Sequence, residues 1–255
     1  MKAMVLAAGL GTRLLPLTKD RPKALVEING RTLLEITLAR LRTCGVREVI
    51  INVHHFADEV ARYLRAHSNF GMHIEISRED DLLLDTGGGL KKAAKFFLRD
   101  SADLPFLVHN VDVLSTIDLE GMLRVHRERG ALAVLAVRNR NSSRYLLFDQ
   151  RSELVGRRVA RDSAAPKTEL VPHASNPEAL AFCGIHVISP QLLKLMTETG
   201  VFSIIDVYLR LAGTGEKILA FRADDYYWRD LGRPEHLLQA ASDVNNGTLA
   251  LPIHP

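Results

Sequence analysis

The chain has 255 residues, 47% of them hydrophobic and 25% charged, which suits a globular protein with one large core and excludes fibrous or disordered classes. Lysine and arginine exceed aspartate and glutamate only by 33 to 30, and a net charge of +3 argues against nucleic acid or an acidic membrane as partner while leaving phosphorylated small molecules open. The two cysteines, Cys44 and Cys183, lack metal-ligand spacing, so a zinc site is excluded and a reducing compartment is indicated.

No secretory leader pattern and no bilayer-length apolar run is present, so a cytoplasmic protein is expected, with both cysteines buried. In chain order, residues 4–7 form a short apolar run stopped by glycine, the pattern of a buried parallel strand. After a long loop, TLLEITLARLRTC (residues 32–44) spaces its apolar side chains as a helix and stops at Gly45, a C-terminal cap. Residues 48–53 read as a buried β-branched strand, 57–66 as helix and 72–77 as an alternating strand. A helix over 90–98, a strand over 105–109, a helix over 118–129 with Asp118 as N-cap, and a strand over 132–137 follow. This alternation predicts a mostly parallel sheet covered on both faces. In the second half, strands are expected at 145–148, 154–159, 181–188, 217–221 and 226–228, and helices at 190–196, 203–211 and 234–244. Residues 160–177 are polar and contain proline, and are read as a long surface loop or insertion. Nothing resembles a linker, so one α/β domain with a smaller β-rich C-terminal portion is expected.

The first loop carries the strongest signal. MVLAAGLGTRLLPLTKDRPKALV (residues 4–26) runs from the first strand into a glycine-rich turn with Arg13 just after it and Lys23 ten residues on. A dinucleotide fingerprint would need its third glycine at position 14, which is Leu14, and no lysine and serine or threonine follow the glycines as in a P-loop. What remains is a backbone cradle for phosphate at the carboxyl end of a strand, with an arginine fork and a lysine point charge beside it and Pro16 and Pro22 stiffening the chain between them. His54 and His55, neighbours on a strand, would point to opposite faces and cannot share one ion, so both are read as structural. His109 is read as the buried end of a strand.

LAAGLGTRLLPLT followed by RPKAL resembles the signature of the sugar-1-phosphate nucleotidylyltransferases. LDTGGGLKKA, FLVHNVDV, FCGIHVISP, FSIIDVYL and WRDLGRPEHL follow in that family's order, so the resemblance covers nearly the whole chain. It is strongest to the short bacterial members without a C-terminal β-helix, such as N-acetylmuramate-1-phosphate uridylyltransferases and mannose-1-phosphate guanylyltransferases. The resemblance implies a three-layer, Rossmann-like nucleotide-diphospho-sugar transferase fold over residues 1–255. Residues 1–140 would be the nucleotide-binding half and residues 141–255 the sugar-binding, metal-completing half.

The implied reaction is attack of a sugar-1-phosphate on the α-phosphorus of a nucleoside triphosphate, with Mg2+, giving nucleotide sugar and pyrophosphate. The nucleophile is a phosphate oxygen already anionic at neutral pH, since its second pKa is about 6, so no general base is required. By resemblance, Arg13 and Lys23 are the catalytic cations. Ala7, Ala8, Gly9, Gly11, Thr12, Gly87 and Gly88 lie against the nucleotide, Asn110 and Gly184 against the sugar phosphate, and Asp112 and Asp230 hold the metal. Three consecutive glycines, 87 to 89, would offer bare backbone to a base or ribose. Leu15, Ala24 and Val111 depart from the family pattern, which has arginine, proline and glycine there.

Uracil and guanine both remain open as the base, Glu79 and Asp80 being candidates for a guanine edge. The oligomeric state, monomer or homo-oligomer, also stays open. One alternative is a cytidylyltransferase for phosphocholine or another alcohol phosphate, with Tyr226, Tyr227 and Trp228 as the cage for a quaternary ammonium. Another is a non-catalytic nucleotide-sugar-binding regulatory protein, which predicts loss of Arg13, Lys23, Asp112 or Asp230, whereas all four are present.

Overall fold

A computed structural model describes residues 1–99, 103–161, 164–171 and 176–252, with the side chains of residues 161 and 164–166 outside the description. The elements in order are β1 (Lys2–Leu6), a small hairpin of β2 (Glu27–Ile28) and β3 (Arg31–Thr32), α1 (Leu33–Thr43), β4 (Glu48–Val53), α2 (Ala57–Ala66) and β5 (His73–Arg78). Then come α3 (Asp85–Lys92), α4 (Ala94–Leu98), β6 (Phe106–Asn110), β7 (Val113–Ser115), α5 (Leu119–Arg129), β8 (Ala133–Arg138), β9 (Arg144–Phe148), β10 (Leu154–Arg161) and β11 (Ala164–Leu170). The chain continues through β12 (Glu178–Ile188), α6 (Pro190–Leu195), α7 (Ile204–Gly213), β13 (Ile218–Arg222), β14 (Trp228–Asp230) and α8 (Pro234–Asn245).

The central sheet runs β5-β4-β1-β6-β12-β8-β13, and only β12 is reversed against its neighbours. Because side chains alternate along a strand, each strand feeds both faces. Ala3 and Val5 of β1 pack with α1, α2 and the buried side of α5, whereas Met4 between them packs with Leu90, Phe96 and the buried side of α7. This produces the expected three layers. β12 is long enough to leave the parallel core: its Glu178–Leu180 end pairs with β9, which continues antiparallel into β10 and β11. That antiparallel flap is the β-rich C-terminal portion.

Helix ends follow their capping chemistry. Thr32 accepts a hydrogen bond from the Glu35 amide at the start of α1, and Asp118 accepts from Gly121 at 2.8 Å at the start of α5.

Five expectations change. Residues 160–177 are not a loop: they contain the end of β10 and all of β11, since polar alternation suits a two-stranded edge exposed to water, while residues 162–163 and 172–175 lie outside the described residues. The helix expected from Leu90 begins at Asp85 and takes the three glycines into its first turns. The last strand starts at Trp228 rather than 226, because its partner β7 pairs with Trp228 to Asp230. His54 and His55 follow β4 instead of lying on it, and Cys44 is half-buried where Cys183 is fully buried. Among the described residues no helix is long and apolar enough to cross a membrane.

Candidate active site

The sheet order fixes where a ligand can bind. From β1 the chain moves outward to β4 and β5, then crosses back to place β6 on the other side of β1. At such a switch point the loops leaving the carboxyl ends of the two strands diverge and open a crevice. Here those loops are the glycine-rich stretch after Leu6 and the Asn110–Asp112 corner, joined at the base by the Val111 amide donating to the Leu6 carbonyl at 3.0 Å. The crevice is a cavity of about 550 Å3 lined by residues 6–13, Lys23, Asn52, Leu83, Asp85, Thr86, Val111, Asp112, Val201 and Gly232.

The loop is built from the inside. The Ala7 amide donates to Asn52 Oδ1 at 2.9 Å, and Asn52 Nδ2 donates to Glu79 Oε1 at 2.8 Å. The other Glu79 oxygen accepts the Leu84 amide at 2.9 Å, so one buried carboxylate ties the first loop to the approach of α3. Ala7 therefore spends its amide on the protein. The amides of Ala8, Gly9 and Leu10 make no hydrogen bond among the described residues and are left for a ligand.

Gly11 has φ 67, and a Cβ there would stand 3.0 Å from Thr18 Cγ2 and 3.3 Å from Lys23 Cβ. The turn thus needs glycine twice, for its left-handed backbone and for the close passage of Lys23. Thr18 locks the return by donating to the Gly11 carbonyl at 2.8 Å.

Lys23, in a 3-10 turn after Pro22, is 8% exposed and its Nζ is bonded to Asp112 Oδ2. Arg13 is exposed, makes no ion pair among the described residues, and reaches toward Gly232, where a Cβ would meet its guanidinium at 2.7 Å. The same Cβ would meet Asp230 Oδ1 at 2.7 Å, and Gly232 donates its amide to that oxygen at 2.8 Å. Gly232 is therefore the gap through which Arg13 and Asp230 come close.

Asp112 and Asp230 meet through the β7–β14 ribbon. Asp230 lies opposite Val113, and the Leu231 amide donates to the Asp112 carbonyl at 2.8 Å. This donor set fits Mg2+: two hard carboxylates on adjacent backbones, with the remaining positions left to phosphate oxygens and water. No group of three or more histidine, cysteine, aspartate or glutamate side chains that could hold a metal occurs among the described residues.

Of the residues singled out from sequence, Ala7, Ala8, Gly9, Gly11, Thr12, Arg13, Lys23 and Asp112 line the cavity. Asp230 stands just behind Gly232. Asn110 and Gly184 are in contact with each other: Gly184 has φ 76, and a Cβ on it would lie 2.9 Å from Asn110 Nδ2. They sit beside the cavity wall rather than on it.

Gly87 and Gly88 do not line the cavity. A Cβ on Gly87 would lie 2.5 Å from the Phe202 ring, one on Gly88 2.6 Å from the Gly200 carbonyl, and one on Gly89 2.8 Å from Glu79. The bare backbone serves helix packing, and the cavity face of this segment is Leu83, Asp85 and Thr86. Asp85, held at φ 60 where glycine is usual, together with Thr86, was present in the LDTGGG string but masked by its glycines. Asn52 and Gly232 carried no signal of their own in the sequence. Leu15 is 56% exposed and outside the cavity, and Ala24 is fully buried.

Beneath the site, burial lowers the pKa of His109 to about 4, helped by nearby Arg40, and burial lowers that of His186 to about 3. Both rings are neutral near pH 7 and act as packing groups. Burial pushes the Cys183 thiol up to about 12, so it is inert.

Residues 2–247 match a family described as nucleotidyl transferase. The chain is 35% identical over 243 residues to the N-acetylmuramate alpha-1-phosphate uridylyltransferase of Caulobacter vibrioides, covering 93% of this chain and 94% of that protein. It is 29% identical to the UTP-glucose-1-phosphate uridylyltransferase of a Synechocystis species, covering 96% of this chain and 63% of the relative. It is 27% identical to a mannose-1-phosphate guanyltransferase of Yarrowia lipolytica, covering 93% of this chain and 62% of the relative. The chain thus spans less than two thirds of these two longer proteins.

Among solved structures, HddC from Yersinia pseudotuberculosis complexed with GMP-PN superposes with a TM-score of 0.72 at 21% identity, covering 95% of this chain and 98% of that one. A UDP-glucose pyrophosphorylase complexed with UDP-glucose superposes with a TM-score of 0.73 at 18% identity, covering 96% and 98%. These two share the fold.

Proposed function

The chain belongs to the nucleotidyl transferase family, and we propose that it moves a uridylyl group from UTP to a sugar 1-phosphate with Mg2+, releasing pyrophosphate. The observation that carries this reading is the buried Lys23, joined to Asp112 on the wall of the switch-point cavity that Arg13 also lines. That is a site made to gather polyanions and neutralise them rather than to move protons.

The sugar phosphate's oxygen forms a bond to the α-phosphorus while the bond from that phosphorus to the bridging oxygen breaks, and the electron pair leaves with pyrophosphate. Free amides at Ala8 to Leu10 and the Arg13 fork hold the triphosphate. Lys23 supports the α-phosphate and the incoming phosphate, compressing two anions into line. Mg2+, held by Asp112 and Asp230, would neutralise charge on the triphosphate and the leaving group. On this reading residues 1–140 carry the nucleotide and residues 141–255 complete the sugar and metal side. The cytoplasm, where UTP is found, is the expected location, in keeping with two free cysteines. UTP is preferred because the relative matched along nearly its full length is a uridylyltransferase.

The test is pyrophosphate release with UTP, GTP, CTP and dTTP, each crossed with N-acetylmuramate, glucose and mannose 1-phosphates and with phosphocholine. Release is expected to be fastest with UTP and a sugar phosphate and to stop with chelator. It should slow on the order of 10^2-fold or more in Asp112→Ala, the scale for losing one charge-stabilising group. No release with any pair, or release unchanged in Asp112→Ala, overturns the reading.

A further inference from the structure

The β12 strand is interrupted where the proposed sugar side begins. Its register against β8 shifts between Phe182 and His186, and Gly184 inside that break has φ 76. Bulges of this kind re-aim groups beside binding sites. The carbonyls they release are taken up by two large side chains. Trp228 Nε1 donates to the Cys183 carbonyl at 2.8 Å, and Arg140 Nη2 donates to the Phe182 carbonyl at 3.2 Å. The Arg140 guanidinium lies over the Trp228 ring, 4.5 Å from its centroid.

Arg140 is not used up by these contacts. Its Nη1 donates to the Asn141 carbonyl at 3.2 Å, which leaves one hydrogen on each Nη uncommitted. Neighbouring Arg157 and Arg222 are paired with Glu169 and Asp206 and with Glu178 and Asp224. Arg140, Arg138 and Arg158 have no such carboxylate among the described residues. A cation stacked on an indole and partly withdrawn from water, with uncommitted N–H groups and no carboxylate partner among the described residues, is a receptor for a planar anion.

Its place sets the substrate. Trp228 is two residues from Asp230, about 7 Å along a strand at ~3.3 Å per residue. Side chains two apart on a strand share a face, so the guanidinium over that ring lies on the flank of Asp230, beside Gly184, whose neighbour Cys183 bonds the indole. Asn110 Oδ1 on that side is buried and has no hydrogen-bond partner among the described residues. A quaternary ammonium does not fit, because the Trp228 face it would need carries a cation already.

We infer that Arg140 is a specificity residue for a sugar 1-phosphate whose ring carries a carboxylate on a substituent away from the phosphate-bearing carbon, such as the O3 ether of N-acetylmuramate. The inference rests on the reaction proposed above. Arg140 grips the carboxylate with its free N–H groups, and Trp228 holds the guanidinium flat.

The experiment compares N-acetylmuramate 1-phosphate with N-acetylglucosamine 1-phosphate, the same ring without the carboxylate. Steady-state kinetics are measured for the native chain, Arg140→Lys and Arg140→Met. The native chain should prefer the acidic sugar. Arg140→Met should lower kcat/KM for the acidic sugar on the order of 10^2-fold, mostly through KM, and change the neutral sugar less than about threefold. Arg140→Lys, which keeps the charge and loses the fork, should fall between. Equal losses on both sugars would make Arg140 a merely structural prop and overturn the inference, as would an acid preference that survives in Arg140→Met. If Arg140→Met fails to fold, the Arg140→Lys pair of sugars decides by the same criterion. Turnover of neutral sugars alone overturns this inference and leaves the proposed reaction standing. No turnover of any sugar phosphate removes both.

Discussion

At the scale of single residues, Lys23 and Gly11 show how one position serves both shape and charge. Lys23 is a buried cation, and its ammonium is the one cation paired with Asp112 among the described residues. Lys23→Met keeps the length of the side chain and removes the charge, so kcat should drop on the order of 10^2-fold or more while the fold persists. Circular dichroism beside a pyrophosphate assay checks both halves, and a variant with native kcat refutes the assignment. Gly11→Ala acts on shape. Its left-handed backbone costs a side chain roughly 1–2 kcal/mol, and the added Cβ also presses on Thr18 and Lys23. Urea unfolding should show a loss of that size, with activity falling further than stability because Lys23 is displaced.

Among elements, α3 is the informative case. A helix opening with DTGGG has poor propensity, each glycine costing about 1 kcal/mol against alanine. It forms because tertiary contacts outweigh that cost: Thr86 Oγ1 accepts the Ile204 amide at 3.0 Å, and the Gly87 amide donates to the Phe202 carbonyl at 3.0 Å. Gly88→Ala is therefore expected to destabilise by about 1–3 kcal/mol through overpacking against Gly200. Gly213→Ala at the end of α7, where the nearest atom is Val171 Cγ1 at 3.8 Å, should be neutral or stabilising by a few tenths of a kcal/mol. Denaturation midpoints of the two variants test the contrast, and a neutral Gly88→Ala would refute the packing account. The end of β10 and all of β11 were missed in the sequence for the converse reason, since polar residues at a solvated sheet edge carry no apolar period.

Across the whole molecule, two neutral histidines are sealed under the site. His109 and His186 have folded pKa values of about 4 and about 3, below the unfolded value near 6.5. The unfolded chain therefore binds protons first as the pH falls. The stability these rings contribute is fully present well above pH 6.5 and is lost progressively as the pH falls through about 4 for His109 and about 3 for His186, by several kcal/mol in total. Urea midpoints at pH 7.5 and pH 5 should differ accordingly, and a double His109→Gln, His186→Gln variant should flatten that slope. An unchanged midpoint in the native chain contradicts the burial of these rings in the neutral form.

The sequence by itself determined the strand and helix alternation and the glycine-rich loop with Arg13 and Lys23 beside it, because periodicity, glycine turns and charge next to a turn are local properties that survive without a fold. Asp112 and Asp230 were legible through their motifs, though not their meeting. Only the tertiary structure decided that β6 returns to the far side of β1, which opens the crevice. It alone paired β7 with β14 to bring two aspartates 118 residues apart together, packed the triple glycine against Phe202, Gly200 and Glu79, and laid Arg140 on Trp228. Each of these is a contact between residues far apart in sequence, fixed by strand order and side-chain volume, and neither quantity is written in any one stretch of the chain.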